Sequence, residues 1–209
     1  MIFGCVDFGQ SAKFDCLVKL YFFDFANTML NMINGLIVLN FRSFADDRGR
    51  FFESYHKERY LKEGILCDFV QDNVSVSSYG VIRGLHFQSG DFAQAKLVQV
   101  LKGRVLDVAV DLRPDSPTFG QHYSVELSDE NHLQFFIPRG FAHGFSVLSD
   151  EALFHYKCDN YYHKASERGI IYNDPALNID WQLPQGKEIV SDKDLELMSF
   201  ESLKNTMNF

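Results

Sequence analysis

From residue 33 onward, apolar and polar residues alternate in short runs, which is the pattern of half-buried β-strands. Strands are predicted at residues 36–41, 50–55, 69–77, 96–101, 104–112, 121–128, 133–137, 143–148 and 152–158. Lys102-Gly103, between two of the most apolar runs, predicts a hairpin turn. Many short strands separated by turn residues favour an all-β sandwich or barrel.

Two helices are predicted outside this series of strands. Residues 57–63 predict a short helix that ends at Gly64. Residues 192–205 predict a C-terminal helix with Ser191 as its N-cap. Because no linker or change of composition divides residues 32–209, we expect one domain there.

Residues 1–31 are rich in Phe, but charged side chains interrupt every apolar run. This pattern excludes a membrane-spanning helix and lacks the features of a secretory signal. Two interpretations stay open. The segment is either an extension that packs as an extra strand or helix, or upstream sequence before a start at Met29 or Met32. The second is favoured, since the strand pattern begins only at Ile33.

Composition narrows the class of function. The formal charge of -8 and a pI near 5.3 disfavour binding to nucleic acid, which normally needs a basic surface. The 21 Phe and 9 Tyr suit strands and surfaces that stack on flat ligands. The four Cys are scattered without a CxxC pair, so we expect reduced thiols in a cytoplasmic protein. Because no apolar run is long enough to span a bilayer, we also expect no membrane partner.

Candidate chemistry begins with His86 and, ten positions later, Lys96. An imidazole exchanges a proton near neutral pH, and an ammonium stabilises the negative charge left when a proton leaves carbon. In a β-rich barrel both side chains can point at one ligand. The pair therefore favours proton abstraction next to a carbonyl group.

Residues 138–145 fit the PxGxxH pattern, which resembles the second motif of cupin jelly rolls. In metal-binding cupins the motif's His, here His143, joins two His of an HxH pair and a Glu. This chain has His86-Phe87-Gln88 at the corresponding place, and an amide is a poor ligand for a transition metal. We therefore expect neither a bound metal nor another cofactor.

A longer set of motifs resembles one family, the dTDP-4-dehydrorhamnose 3,5-epimerases, over residues 33–194. These motifs are Asp47-Arg48-Gly49, Phe51-Phe52-Glu53, Gln71-Asp72-Asn73, residues 83–88, Lys96, residues 137–145, Tyr156-Lys157, Asn160-Tyr161-Tyr162 and residues 191–194. The resemblance implies a cupin-type jelly-roll barrel with short flanking helices and a C-terminal helix. It also implies an isomerase of the dTDP-rhamnose pathway.

The same resemblance implies four catalytic residues. His86 is the base that removes a proton from C3 or C5 of a 4-keto sugar, and Lys96 stabilises the enolate. Tyr156 returns a proton from the opposite face of the sugar. Asp194 stands behind His86, although Asp194 could instead serve only to cap a helix and Asp192 is a rival for its role.

The substrate-binding residues implied by the resemblance form a larger group. They are Arg48 and Arg83 for the diphosphate, Phe51 and Glu53 for the thymidine, Gln71 and Asn73 as pocket amides, Tyr162 beside the nucleotide, and His143 near Lys96. In the family, Phe51 and Glu53 would reach across from a neighbouring subunit, which implies a homodimer. Arg50 stands where many relatives carry an aromatic residue, which weakens the assignment of the base contact.

Three alternatives remain. The enzyme could invert a single carbon or isomerise the ketone, on a dTDP-, GDP- or CDP-linked sugar. It could be a metal-dependent cupin, which the retained His143 favours and Gln88 disfavours. It could also be a cupin that binds sugars without catalysis, which the intact His86 and Tyr156 disfavour.

Overall fold

The computed structural model describes residues 33–40 and 43–206, so the expectation for residues 1–31 lies outside the described part of the chain. The strands are β1 (Ile37–Asn40), β2 (Ser43–Asp46), β3 (Gly49–Phe52), β4 (Gln71–Ser78), β5 (Ile82–Gln88), β6 (Lys96–Lys102), β7 (Arg104–Asp111), β8 (His122–Ser128), β9 (Leu133–Ile137), β10 (Phe141–Val147), β11 (Glu151–Cys158) and β12 (Glu167–Gly169). The helices are α1 (Lys57–Lys62), α2 (Asp192–Leu195) and α3 (Phe200–Thr206).

Ten of these strands form two five-stranded antiparallel sheets. The first sheet has the order β1-β9-β6-β11-β4, and the second has the order β12-β5-β10-β7-β8. Consecutive strands from β4 onward pass from one sheet to the other, except β7 and β8, which pair directly. This is the jelly-roll arrangement, and it confirms the predicted all-β fold. Strands β2 and β3 form a separate two-stranded hairpin.

Aromatic side chains join the inner faces of the two sheets. Phe145 on β10 stacks on Phe154 on β11 with 4.2 Å between ring centroids, and Tyr123 on β8 meets Phe135 on β9 at 5.8 Å. Phe135 and Phe154 are among the most completely buried side chains of the described residues. A second apolar cluster packs residues of β5 and β7 against the C-terminal segment, including Trp181. Within residues 33–40 and 43–206, no helix has the length and apolar character needed to span a bilayer.

The predicted hairpin at Lys102-Gly103 is wrong. Strand β6 belongs to the first sheet and β7 to the second, so the chain turns a sharp corner at Gly103. Gly103 has φ +83, and an added Cβ would lie 2.1 Å from the Glu151 carbonyl oxygen. A Gly between two apolar runs is typical of both a hairpin and a corner, and only the strand partners distinguish the two.

The predicted helix over residues 192–205 divides into α2 and α3. Ser191 caps α2, as expected, because its Oγ accepts from Asp194 N. Met198 lies between the helices, and its carbonyl oxygen accepts from Ile171 N at 3.0 Å. Ser199 then starts a second helix by accepting from Ser202 N. The pairing of Met198 with a distant segment overrides the local helical pattern.

A buried carboxylate holds the loop after β7. Asp111 is fully buried and accepts from Arg113 Nη2 at 2.7 Å, Ser116 Oγ at 2.6 Å and Thr118 Oγ1 at 2.7 Å. Burial alone would raise the pKa of Asp111, but these hydrogen bonds outweigh it and lower the pKa to about 2. Folding therefore stabilises the ionised form of the Asp111 carboxyl group.

We expect Asp111→Asn to lower the free energy of unfolding at neutral pH. A pKa reduced from 3.8 to about 2 corresponds to roughly 2 kcal/mol of stability. This stability is fully present above the unfolded pKa of 3.8 and is lost as the pH falls through about 2. The free energies of unfolding of the wild type and of Asp111→Asn should therefore converge as the pH falls from 3.8 to about 2. Denaturant titrations across this range measure the difference. Asp115→Asn, in the exposed part of the same loop, is the control, and a difference that is independent of pH would contradict the assignment.

Candidate active site

Two cavities lie between the sheets and share three lining residues. One cavity has a volume of about 290 Å³ and the other about 150 Å³, and both are lined by His86, Lys96 and Tyr156. His86 comes from β5 of the second sheet, whereas Lys96 and Tyr156 come from β6 and β11 of the first. The imidazole and the phenol therefore reach the same space from opposite sheets.

His86 is fixed by a carboxylate from the C-terminal segment. Asp194 Oδ1 accepts from His86 Nε2 at 2.8 Å, and Asp194 Oδ2 accepts from Gly84 N at 3.4 Å. Burial favours a higher pKa for Asp194, but the hydrogen bond and charge of His86 outweigh it, and the pKa is lowered. Asp194, and not Asp192, contacts His86, while its backbone N–H also helps to cap α2.

Two glycines allow β5 and β10 to approach closely beside the histidines. Gly84 has φ +122, and an added Cβ would lie 2.6 Å from Gly144 Cα. The pairing of the two strands shifts register between His143 and Phe145. His86 and His143 are paired directly opposite each other in the sheet. Gly84 and Gly144 are both needed, because a side chain on either residue would prevent the close contact between the two strands.

Lys96 belongs to a second buried chain of polar groups. His143 Nε2 donates to Asp107 Oδ2 at 2.9 Å, and Lys96 Nζ lies 3.5 Å from His143 Nδ1. Burial lowers the pKa of Lys96 and of His143, and the charge of Asp107 partly opposes both effects. With Asp107 holding Nε2, the neutral imidazole presents Nδ1 as an acceptor for the lysine. The ammonium is thereby directed into the cavity.

Tyr156 supplies a phenol to the same space. Lys96 Nζ lies 5.9 Å from the centroid of its ring. Burial raises the pKa of Tyr156, and the positive charge of Arg83 partly opposes that rise. At neutral pH the side chain is therefore a protonated phenol that can act as an acid.

Most of the residues predicted to bind substrate also line the two cavities. Arg83 and His143 line the larger cavity, and Gln71, Asn73 and Tyr162 line the smaller one. Gln71 Oε1 accepts from Tyr162 N at 3.0 Å, which ties the segment after β11 to β4.

Three predicted binding residues lie elsewhere. Arg48 pairs with Asp46 at the turn of the β2–β3 hairpin, and Phe51 is 71% exposed on that hairpin. Glu53 pairs with Arg59 of α1. None of the three lines either cavity of this chain.

Sequence reasoning missed several residues of the site. Glu167 on β12 lines the smaller cavity and accepts from Tyr162 Oη at 3.0 Å and from Lys193 Nζ. Asp107, behind His143, was also missed, as were Cys158 and Gln94. Asp107 sits within an apolar run, and a charged residue there was the signal that could have found it.

Gln88, at the place of a cupin metal ligand, is engaged by the backbone. Its Oε1 accepts from His163 N at 3.2 Å. Across residues 33–40 and 43–206, no three His, Cys, Asp or Glu side chains are grouped as metal ligands would be. The expectation of a reaction without metal stays a prediction.

Two facing antiparallel sheets with a polar cavity between them define a cupin-type jelly roll. A sequence profile of the dTDP-4-dehydrorhamnose 3,5-epimerases matches residues 31–202. The chain belongs to this family, and the predicted class of enzyme, an isomerase, is confirmed.

Individual relatives agree with this result. The dTDP-4-dehydrorhamnose 3,5-epimerase of Escherichia coli K12 is 49% identical over 180 residues, which are 85% of this chain and 96% of the relative. The crystal structure of a dTDP-6-deoxy-D-glucose-3,5-epimerase from Legionella pneumophila, in complex with dTDP-4-keto-L-rhamnose, is 51% identical and has a TM-score of 0.78, covering 81% of this chain and 89% of that one. ChmJ, a 3'-monoepimerase from Streptomyces bikiniensis in complex with dTDP-quinovose, is 30% identical with a TM-score of 0.76, over 83% and 87% of the chains.

We expect Asp194→Asn to lower kcat for epimerisation by about 100- to 10,000-fold, because an amide cannot stabilise an imidazolium or fix the same tautomer. Asp192→Asn removes the same charge two residues away, in the first turn of the same helix, and should leave kcat within about twofold. Steady-state assays of both variants measure the difference. Equal losses in the two variants would assign the effect to the helix and not to the contact with His86.

Proposed function

We propose that this protein inverts C3 and C5 of dTDP-4-dehydro-6-deoxy-glucose to give dTDP-4-dehydro-rhamnose. The observation that carries the proposal is the placement of His86, with Asp194 behind it, and of Tyr156 on opposite sheets around one cavity. Inversion needs a base on one face of a carbon and an acid on the other.

The first step is the removal of a proton by His86. Its Nε2 is committed to Asp194, so Nδ1 takes the proton from the carbon next to the ketone. The C–H electron pair forms an enolate whose oxygen carries the charge. Lys96 stabilises this oxygen, and its lowered pKa makes it a stronger donor than an ordinary lysine.

The second step is the delivery of a proton by Tyr156 to the opposite face of the same carbon. The enolate electron pair takes the phenolic proton and reforms the ketone, and the carbon is inverted. The phenolate then regains a proton and His86 loses one, so no proton is gained or lost overall. Repetition at the other carbon gives the double inversion.

The residues on the β2–β3 hairpin and Glu53 directly after it complete the nucleotide site only in a homodimer. Arg48, Phe51 and Glu53 lie away from the cavities of their own chain, which supports a role in the partner subunit's site. The outward face of β4 adds exposed Val74 and Val76, each 58% exposed, as an apolar contact surface. We place the enzyme in the cytoplasm, where it would supply a 4-keto precursor of dTDP-rhamnose for polysaccharide synthesis.

Solvent deuterium should enter both C3 and C5 of the dTDP-linked 4-keto sugar during turnover by the wild-type enzyme. His86→Asn should abolish exchange and inversion together. Tyr156→Phe should abolish inversion but retain exchange, because His86 can return a deuteron to the face from which it removed the proton. NMR of the sugar measures both properties, and Tyr161→Phe, in an exposed neighbour, is the control.

The number of exchanged carbons also decides between double and single inversion. The likeness to a 3'-monoepimerase favours inversion at C3 alone as a second candidate function, since the same fold carries both activities. Inversion and exchange at C3 alone would establish it. Full activity of His86→Asn would contradict either proposal and favour a different cupin chemistry, which metal analysis and GDP- or CDP-linked sugars would then define.

Val76→Asp should weaken the homodimer, because it places a charge in the apolar contact surface formed by Val74 and Val76. Sedimentation velocity should show a shift from dimer to monomer at micromolar concentration. Ile189→Asp, which changes a 53% exposed side chain outside the first sheet, is the matched control. A wild-type monomer, or an unaltered dimer in Val76→Asp, would contradict this placement of the interface.

A further inference from the structure

Four polar side chains follow one another along the inward face of β4. They are Gln71, Asn73, Ser75 and Ser77, at alternate positions of the strand. Gln71 donates to Asn73 Oδ1 at 3.0 Å, and Ser77 Oγ accepts from Arg83 Nε at 3.1 Å. Ser75 differs, because within the described part of the chain its buried Oγ has no hydrogen-bond partner. A buried hydroxyl without a partner is unfavourable, so such groups are normally satisfied by protein, water or ligand.

Ser77 leaves the anion-binding end of Arg83 available. It holds the guanidinium through Nε, and the residues that the structure describes provide no acceptor for either Nη group. The two Nη groups of a guanidinium match two oxygens of a phosphate. Ser77 therefore orients Arg83 through Nε and leaves both Nη groups available to a ligand.

Ser75 and Arg83 line the same cavity of about 290 Å³. Lys96 and Lys193 also line this cavity together with Asp194, and Lys193 Nζ pairs with Glu167. With Lys193 paired, the positive side chains of Arg83 and Lys96 still outnumber the carboxylate of Asp194, which suits a negatively charged ligand.

We infer that Ser75 and Ser77 are specificity-determining residues for the diphosphate of the nucleotide sugar. Ser75 Oγ donates to a diphosphate oxygen held by Arg83, and Ser77 positions Arg83 for that contact. The inference rests on the proposed function for the identity of the ligand, and it adds two residues to the predicted diphosphate contacts.

Ser75→Ala should weaken binding of dTDP by about tenfold, which corresponds to 1.4 kcal/mol, and should leave binding of thymidine unchanged. Its melting temperature should equal or exceed that of the wild type, because the variant removes a hydroxyl that has no internal partner. Calorimetry measures dTDP binding, and ligand-observed NMR compares thymidine. Ser78→Ala, on the outward face of the same strand, is the control for both.

Ser77→Ala should also weaken dTDP binding, and this effect should disappear in an Arg83→Gln background, since the serine acts through the arginine. Equal dTDP affinity in Ser75→Ala and wild type would overturn the inference. So would an equal loss of thymidine and dTDP binding, which indicates a structural role.

Failure of the proposed function gives a different result. A wild-type protein that binds dTDP but exchanges no deuterium into the sugar would refute the epimerase mechanism and leave the two serines as a diphosphate site.

Discussion

The hydrogen bond between His86 and Asp194 is the contact on which the site depends, because it joins the barrel to the C-terminal segment. The two residues are 108 positions apart, and each is brought into place by a separate local device. Close approach of Gly84 to Gly144 sets the histidine on its strand, and the Ser191 cap sets the aspartate on α2. Without the C-terminal segment the imidazole would lose both its fixed orientation and its counter-charge.

A similar arrangement of a carboxylate and a histidine positions the ammonium group of Lys96. Asp107 fixes His143, and His143 faces Lys96, so both histidines of the cavity are backed by a buried carboxylate. The consequences differ because the two rings have different neighbours. His86 has a cavity beside it and is free to exchange a proton with a ligand, whereas the ring of His143 lies between a carboxylate and an ammonium. One pair therefore suits proton transfer, and the other suits electrostatic stabilisation.

The sequence was sufficient for most strand positions and for most of the cavity, but it missed β2, β5 and β12 and the features set by distant partners. Alternating apolar residues located β4 and β6 to β11, since burial on one face produces that pattern. The corner at Gly103 and the break at Met198 depend on which segments pair, which local pattern does not encode. Family resemblance located His86, Lys96 and Tyr156, whereas Asp107 and Glu167 became visible only through their neighbours in space.

The corner at Gly103 has a consequence for how this fold can vary. Strands β6 and β7 are joined by that single residue, so Lys96 and Asp107 are carried on one continuous bent stretch and meet at His143 from two sides. Side chains alternate between faces along a strand, and one inserted residue after the bend would turn the aspartate away from the imidazole. β-Proteins usually tolerate changes in loop length. Here the length of the connection at Gly103 determines whether Asp107 and Lys96 can contact His143 together.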